Sequence, residues 1–208
     1  MVETQRSQHV LADAATVIHP KSWASAVLGD GVELQLGRLH EVLGEARDVF
    51  ACLAAAKLTG PVIWIGHASS VASLTPTGLQ DFIDPSRIIT VACLNRQEVL
   101  WAGEQALRIK GADLVVIDID DGPDLRESRR LQIAAEETGA LGVALIGRTA
   151  SSSAAQTRWV CNADPSEDGQ WLWKQVKDKN GRIGAWRVHW SRGSNASGFI
   201  HLAAAAAA

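Results

Sequence analysis

Short apolar runs that recur between helical stretches constrain this chain more than any other feature. Val62-Ile63-Trp64-Ile65, Ile88–Val91, Leu114–Ile117 and Gly142–Ile146 are brief and largely unbroken by polar residues. Such runs belong to strands covered on both faces, the situation inside a parallel sheet. Helix patterns separate them. Arg47–Leu58 sets Phe50, Leu53, Ala54 and Leu58 on one side, and Gly60-Pro61 ends it. Asn95-Arg96-Gln97-Glu98 has the form of a helix cap, predicting a helix to about Lys110 with Gly111 as its stop. Asp124 with Glu127 repeats that form, and Glu137-Thr138-Gly139 closes the helix that follows. Val32–Leu43 reads as a strand pair or one bent strand, and Thr157–Val160 as a further strand. Gly66 to Thr77 reads as a loop and Leu79–Ile83 as a short helix. The alternation predicts an α/β fold: a mostly parallel central sheet with helices on both faces.

The two ends depart from this pattern. Trp171–Asp178 and Gly184–Trp190 alternate around Lys179-Asn180-Gly181-Arg182, and Asn-Gly favours the backbone of a tight turn, so a C-terminal antiparallel hairpin is expected on the sheet edge. Trp186, Val188 and Trp190 would share one face of it, Arg187 and His189 the other. Residues 192–208, Gly/Ser/Asn-rich and then Ala-rich, read as a flexible tail outside the fold. Residues 1–31 read as an N-terminal arm with weak helical patches at Val10–Val17 and Ser22–Val27, packing on its own domain or on a neighbour. A core of 32–191 remains, one domain for a chain of 208 residues.

Composition removes several classes of function. A net charge of −3 is too small for wholesale binding to nucleic acid or membrane, so any basic site must be local. No stretch approaches the roughly 20 apolar residues of a membrane-spanning helix. The start of the chain has no signal-peptide core. Cys52, Cys93 and Cys161 lie far apart with no C-x-x-C spacing, the pattern of buried free thiols in a reducing cytoplasm, so a cytoplasmic location without membrane partners is expected.

A strand, turn and helix at Leu36–Phe50 stand where an α/β nucleotide-binding domain carries its phosphate loop. A working loop needs glycines that bring amides to the phosphates and a Gly-Lys-Ser/Thr ending. The turn here is Gly44-Glu45-Ala46-Arg47-Asp48, with two carboxylates where phosphates would sit. Asp118 follows an apolar run as a metal-binding acid would, and Asp120, Asp121 and Asp124 could add weak cation attraction. Yet the stretch Gly66–Leu74 holds no carboxylate to activate water. A Ser-His-Asp hydrolase built on His67, Ser69 and Ser70 lacks the G-x-S-x-G elbow, and His40 and His67 read as packing or surface groups. No cofactor, no metal and no catalysis are therefore expected.

Basic residues gather elsewhere. Arg126, Arg129 and Arg130 crowd one helix start, and Lys174, Lys177, Lys179, Arg182, Arg187 and Arg192 populate the hairpin. The chain has eight tryptophans, and those at 159, 171, 173, 186 and 190 interleave with these charges. The mixture fits single-stranded nucleic acid, a protein partner, or a hairpin with one face packed and the other solvated.

Three segments carry a resemblance. Gly37-Arg-Leu-His-Glu-Val-Leu-Gly44 resembles the opening of RecA-like proteins. Glu127-Ser-Arg-Arg-Leu-Gln-Ile-Ala-Ala-Glu136 with Gln156-Thr-Arg-Trp159 is similar to segments of the ImuA family. Lys177-Asp-Lys-Asn-Gly-Arg-Ile-Gly-Ala-Trp-Arg-Val-His-Trp190 resembles that family's terminal hairpin. The match runs from about Val32 to Trp190. It implies a RecA-like three-layer fold and a DNA-damage-induced (SOS) accessory factor of translesion synthesis. Its implied partners are an ImuB-type inactive Y-family polymerase, an error-prone replicative-type DNA polymerase and RecA, with weak DNA binding and self-association besides. Arg129, Arg130, Arg158, Trp159, Lys174, Lys177, Lys179, Arg182 and Arg187 are the expected partner or DNA surface. The related reading is a SulA-like inhibitor of the tubulin-like division protein; a cryptic nucleotide hydrolase is the third.

Overall fold

The structure, a computed structural model, describes residues 24–29, 31–148, 152–166, 169–192 and 198–204. In chain order these form β1 (Ser25–Gly29), β2 (Val32–Gln35), β3 (Leu39–Leu43), α1 (Arg47–Ala56), β4 (Val62–His67), α2 (Ala68–Ser73), α3 (Pro76–Leu79), a 3₁₀ turn (Pro85–Arg87) and β5 (Ile88–Cys93). There follow α4 (Arg96–Leu107), β6 (Leu114–Asp121), α5 (Leu125–Thr138), β7 (Leu141–Arg148), β8 (Thr157–Ala163), β9 (Gln170–Asp178), β10 (Gly184–Arg192) and β11 (Gly198–Ala204).

Nine strands make the main sheet in the order β11-β10-β9-β8-β3-β7-β6-β4-β5. The six from β8 to β5 run parallel, and β9, β10 and β11 continue antiparallel. Helix α1 covers one face, where Phe50 and Leu53 pack with Trp64, Trp159 and Trp173. Helices α4 and α5 cover the other, where Leu107 and Leu131 meet Ile117, Ile146 and Leu39. This is the RecA-like three-layer arrangement. The central runs are buried because helices lie on both sides of them, which is why they show no alternation. Among the described residues no helix is long and apolar enough to cross a membrane. All three cysteines are free and buried.

Local signals placed the helices well. The Asp124 carboxylate accepts the Glu127 amide at 2.8 Å, while the Glu127 carboxylate accepts the Asp124 amide at 2.9 Å. Gly139 closes α5 with φ +89°, a conformation open to glycine. Asn95 caps α4, although Glu98 reaches the amide of Leu94 rather than that of Asn95, and the helix ends at Leu107.

Five expectations need correction. Ser25–Gly29 is a strand, not part of a helical patch: Ala26 and Leu28 are buried between exposed Ser25 and Val27, and the strand pairs with β2. Val10–Val17 lies outside the described residues. The stretch after β4 is helical, with His67 capping α2 through its Nδ1. The short helix lies at Pro76–Leu79 rather than Leu79–Ile83, started by Thr75 and Pro76. The hairpin turn is wide, because Val176–Asp178 stay with β8 and β10 starts opposite Gln175. Gly181 has φ +79° within that turn. The tail is not all outside the fold, since Gly198–Ala204 pairs with β10.

Candidate functional site

In an open parallel sheet, ligands bind beyond the carboxyl ends of the strands. At that end a hollow of about 500 Å³ is lined by Arg47, His67, Ser70, Arg96, Asp118 and Asp121, among others. The turn between β3 and α1 leads into it, with Arg47 at the start of α1 on its lining. Gly44 takes φ +99° there, and a Cβ would overlap the Cys161 carbonyl. The amide of Ala46 donates to that carbonyl at 3.0 Å, and the amide of Glu45 donates to Asn162 Oδ1 at 3.3 Å. In return Glu45 Oε1 accepts the Ala163 amide at 3.2 Å. A phosphate loop aims free amides at its anion. In this turn two of those amides are spent on the end of β8, and the turn's own carboxylate occupies a neighbouring donor.

Charge completes the difference. Ser70 donates to Asp118, and the Arg47 guanidinium lies 3.8 Å from the same carboxylate. Arg96 is held by both oxygens of Glu127, at 2.7 and 2.8 Å. This pairing keeps the Glu127 carboxyl below its usual range, mainly through the hydrogen bond from Arg96. Burial, and then Asp118, push the Asp48 carboxyl up. The acids expected to gather round a cation are dispersed: Asp118 serves Ser70 and Arg47, Asp121 pairs with Arg148 at 2.7 Å, and Asp124 caps α5. Among the described residues no three His, Cys, Asp or Glu side chains are grouped to hold a metal. His67 Nδ1 and Ser69 Oγ lie 2.8 Å apart within the α2 cap, while it is Ser70 that bonds Asp118.

The expected surface residues fall into separate places. Trp159 is fully buried, its indole N–H donating to Thr157 Oγ1 at 2.8 Å, so it forms no surface. Trp173 is buried too, and the half-buried Trp171, Trp186 and Trp190 pack against the same cluster. Arg130 pairs with Glu104 between α4 and α5. Arg187 pairs with Asp164 at 2.9 Å, and Lys174 is exposed on the same strand pair. Arg182 borders a polar hollow with Gln35, His40 and Asp178. Arg158 faces Lys177 across β8 and β9, Lys177 is repelled by Arg158 and Lys179, and Lys179 by Arg129 of α5.

Two residues in that corner escaped the sequence reading. Glu41, fully buried, accepts Arg158 Nε at 2.8 Å and the Ser153 hydroxyl. Arg38 pairs with Glu136 of α5. Nothing local marks either residue, because their partners arrive from other strands and helices.

Fold and turn together define a RecA-like three-layer scaffold in which the turn after β3 is bonded to the end of β8. No family model matches this chain. It is similar to Protein ImuA of Caulobacter vibrioides strains NA1000 and CB 15. Identity is 30% over an alignment of 189 residues, covering 75% of this chain and 76% of the relative. The chain belongs to the ImuA family.

Proposed function

We propose that this chain is a non-catalytic RecA-fold adaptor of the mutagenic response to DNA damage. In that role it bridges an ImuB-type inactive Y-family polymerase and an error-prone replicative-type DNA polymerase. The observation that carries the reading is the closed turn, whose Glu45 and Ala46 amides are bonded to Asn162 and Cys161. Such a turn leaves a rigid three-layer body with no preformed phosphate seat, so its surfaces become the useful part. Membership of the ImuA family supplies the setting.

Capture on the immobilised full chain tests the adaptor: the ImuB-type protein of the same organism is expected to bind, and reversal of Lys174 and Arg182 to Glu to weaken that capture. Failure of the unaltered chain to capture it rejects the adaptor role. Calorimetric titration with ATP and Mg²⁺ tests the non-catalytic part, with no saturable heat expected at micromolar ligand. Overexpression that blocks division and leaves filamentous cells would favour the inhibitor reading instead.

A further inference from the structure

We propose that the corner formed by Arg129 of α5 with Lys177 and Lys179 of the β9 end binds the phosphodiester backbone of a nucleic acid without reading its sequence. The corner has a structural cause. Register shifts by one residue between β8 and β9, so that Trp159 faces Gln175 while Arg158 faces Lys177. A strand without this bulge would put Lys177 on the face opposite Lys174; the extra residue, Val176, re-aims it to the side of Arg158. Lys177 Nζ then donates to the Ser153 carbonyl at 2.8 Å. Ser128 of α5 accepts the neighbouring Ala154 amide at 2.8 Å, and Arg129, the next residue along the helix, lies close enough to Lys179 to repel it.

The charges there are not balanced. Glu41 is taken by Arg158 and Ser153, Glu136 by Arg38, and Asp178 accepts the Asn180 amide on the hollow it lines with His40. Among the described residues Arg129, Lys177 and Lys179 have no ion pair. Partial burial, with Arg38 and Arg129 adding repulsion, holds the Lys179 ammonium below the usual lysine value although the residue is exposed. Lys177 is lowered in the same way by burial, Arg158 and Lys179, against a pull from Glu41. Glu41 is shared with Arg158, so the cations here lack full compensation and an anion would relieve their repulsion.

The composition of the corner favours a polyelectrolyte over a protein. Cores of protein interfaces are enriched in aromatics and depleted in lysine, whereas here Trp159 and Trp173 are buried in the core and lysines remain. Phosphate contacts fix position and carry no sequence information. Val176 and Ile183 are exposed nearby, which makes an acidic protein the competitor to be tested. The inference rests on the adaptor reading only for the setting in which nucleic acid is met.

Fluorescence anisotropy of a short labelled single-stranded oligonucleotide with the full chain is the test. Binding at low salt is expected, with affinity falling as salt rises at a logarithmic slope of about 2, as for three phosphates neutralised. Arg129→Glu and Lys179→Glu should each weaken binding at least about fivefold, and Lys57→Glu, the same charge change at the end of α1, should not. Melting curves verify folding, and Arg129→Gln with Lys179→Gln replace any reversal that fails to fold. Absence of binding, or binding that ignores these changes, overturns the proposal. Displacement by polyglutamate as efficient as by unlabelled oligonucleotide of equal charge also overturns it, pointing to an acidic protein. Variants that lose the oligonucleotide yet still capture the ImuB-type protein separate this inference from the adaptor reading.

Discussion

The two ends of the parallel sheet differ in which charges are left without an ion pair. Beyond the strand C-termini, the end that normally receives phosphates, stand Glu45, Asp48, Asp118, Asp120, Asp121 and Asp124, with Arg47 and Arg96 held by acids. Towards the strand N-termini stand Arg38, Arg158, Lys177 and Lys179, with Arg129 of α5 close to Lys179, against Glu136, Asp178 and the buried Glu41. Backbone geometry favours anions at the first end through helix N-termini and free amides. Here that advantage is cancelled by internal acceptors, and long side chains offer positive charge at the other end. A fold therefore determines where an anion is easiest to hold, while the residues decide whether that place is used.

The largest effect expected is at the N-terminal end. Arg158→Ala leaves Glu41 buried without its cation, which should cost about 3–5 kcal/mol in urea unfolding. The side chains of Arg158 and Glu41 are only 16% and 1% exposed, so solvent offers little compensation. Combining it with Glu41→Leu should recover most of the loss. A cost below about 1 kcal/mol would mean that the pair is worth no more than an exposed one, and the contrast between the ends would shrink.

His40 gives the next effect, and it depends on pH. Burial lowers its pKa from 6.5 to about 4, against an opposing hydrogen bond to the Gln35 carbonyl at 3.1 Å. The unfolded chain takes up a proton at a pH where the folded one still refuses it. This contribution to stability is therefore full above about 6.5 and declines as pH falls towards about 4. The total is on the order of 3 kcal/mol. Comparing unfolding free energies of the natural chain and His40→Asn across that window isolates it; parallel pH curves would show that His40 is protonated in place.

At the opposite end Gly44→Ala should cost about 2–3 kcal/mol, since φ is +99° and the Cys161 carbonyl stands in the way of a Cβ. A loss under about 0.5 kcal/mol would show a turn loose enough to open for a ligand.

Much of this architecture was legible because its determinants are local. The Asp124–Glu127 cap, the Gly139 stop and the run Leu114–Ile117 each announce themselves within a few residues. Ser25–Gly29 did not, since its identity as a strand depends on β2 and on burial of Ala26 and Leu28 among residues distant in sequence. The tryptophans were visible as an alternating stripe, but whether a stripe meets solvent or core depends on what packs against it. That Gly44–Asp48 lacks the residues of a phosphate loop could be read directly. Its closure by Asn162 could not, because the two segments lie 117 residues apart and meet only through the pairing of β3 with β8. The basic corner was hidden for a similar reason: a one-residue bulge decides which side Lys177 takes.

Asn162→Ala should produce the smallest change and probe the contrast most directly. It removes the acceptor of the Glu45 amide, a partly exposed contact worth about 1 kcal/mol. One amide is thereby freed at the phosphate end, but the Glu45 carboxylate still bonds Ala163, the Ala46 amide still bonds Cys161, and Asp118 still faces the hollow. No nucleotide binding should follow, because a single liberated donor does not outweigh the surrounding acids. Adding Glu45→Gln removes one of those negative charges and leaves the Ala46 bond in place. Titration of both variants with Mg-ATP should still give no saturable heat. If the double variant bound ATP at micromolar concentration, two side chains alone would be holding the ancestral site shut, and the acidic end would differ from a nucleotide pocket only by a latch.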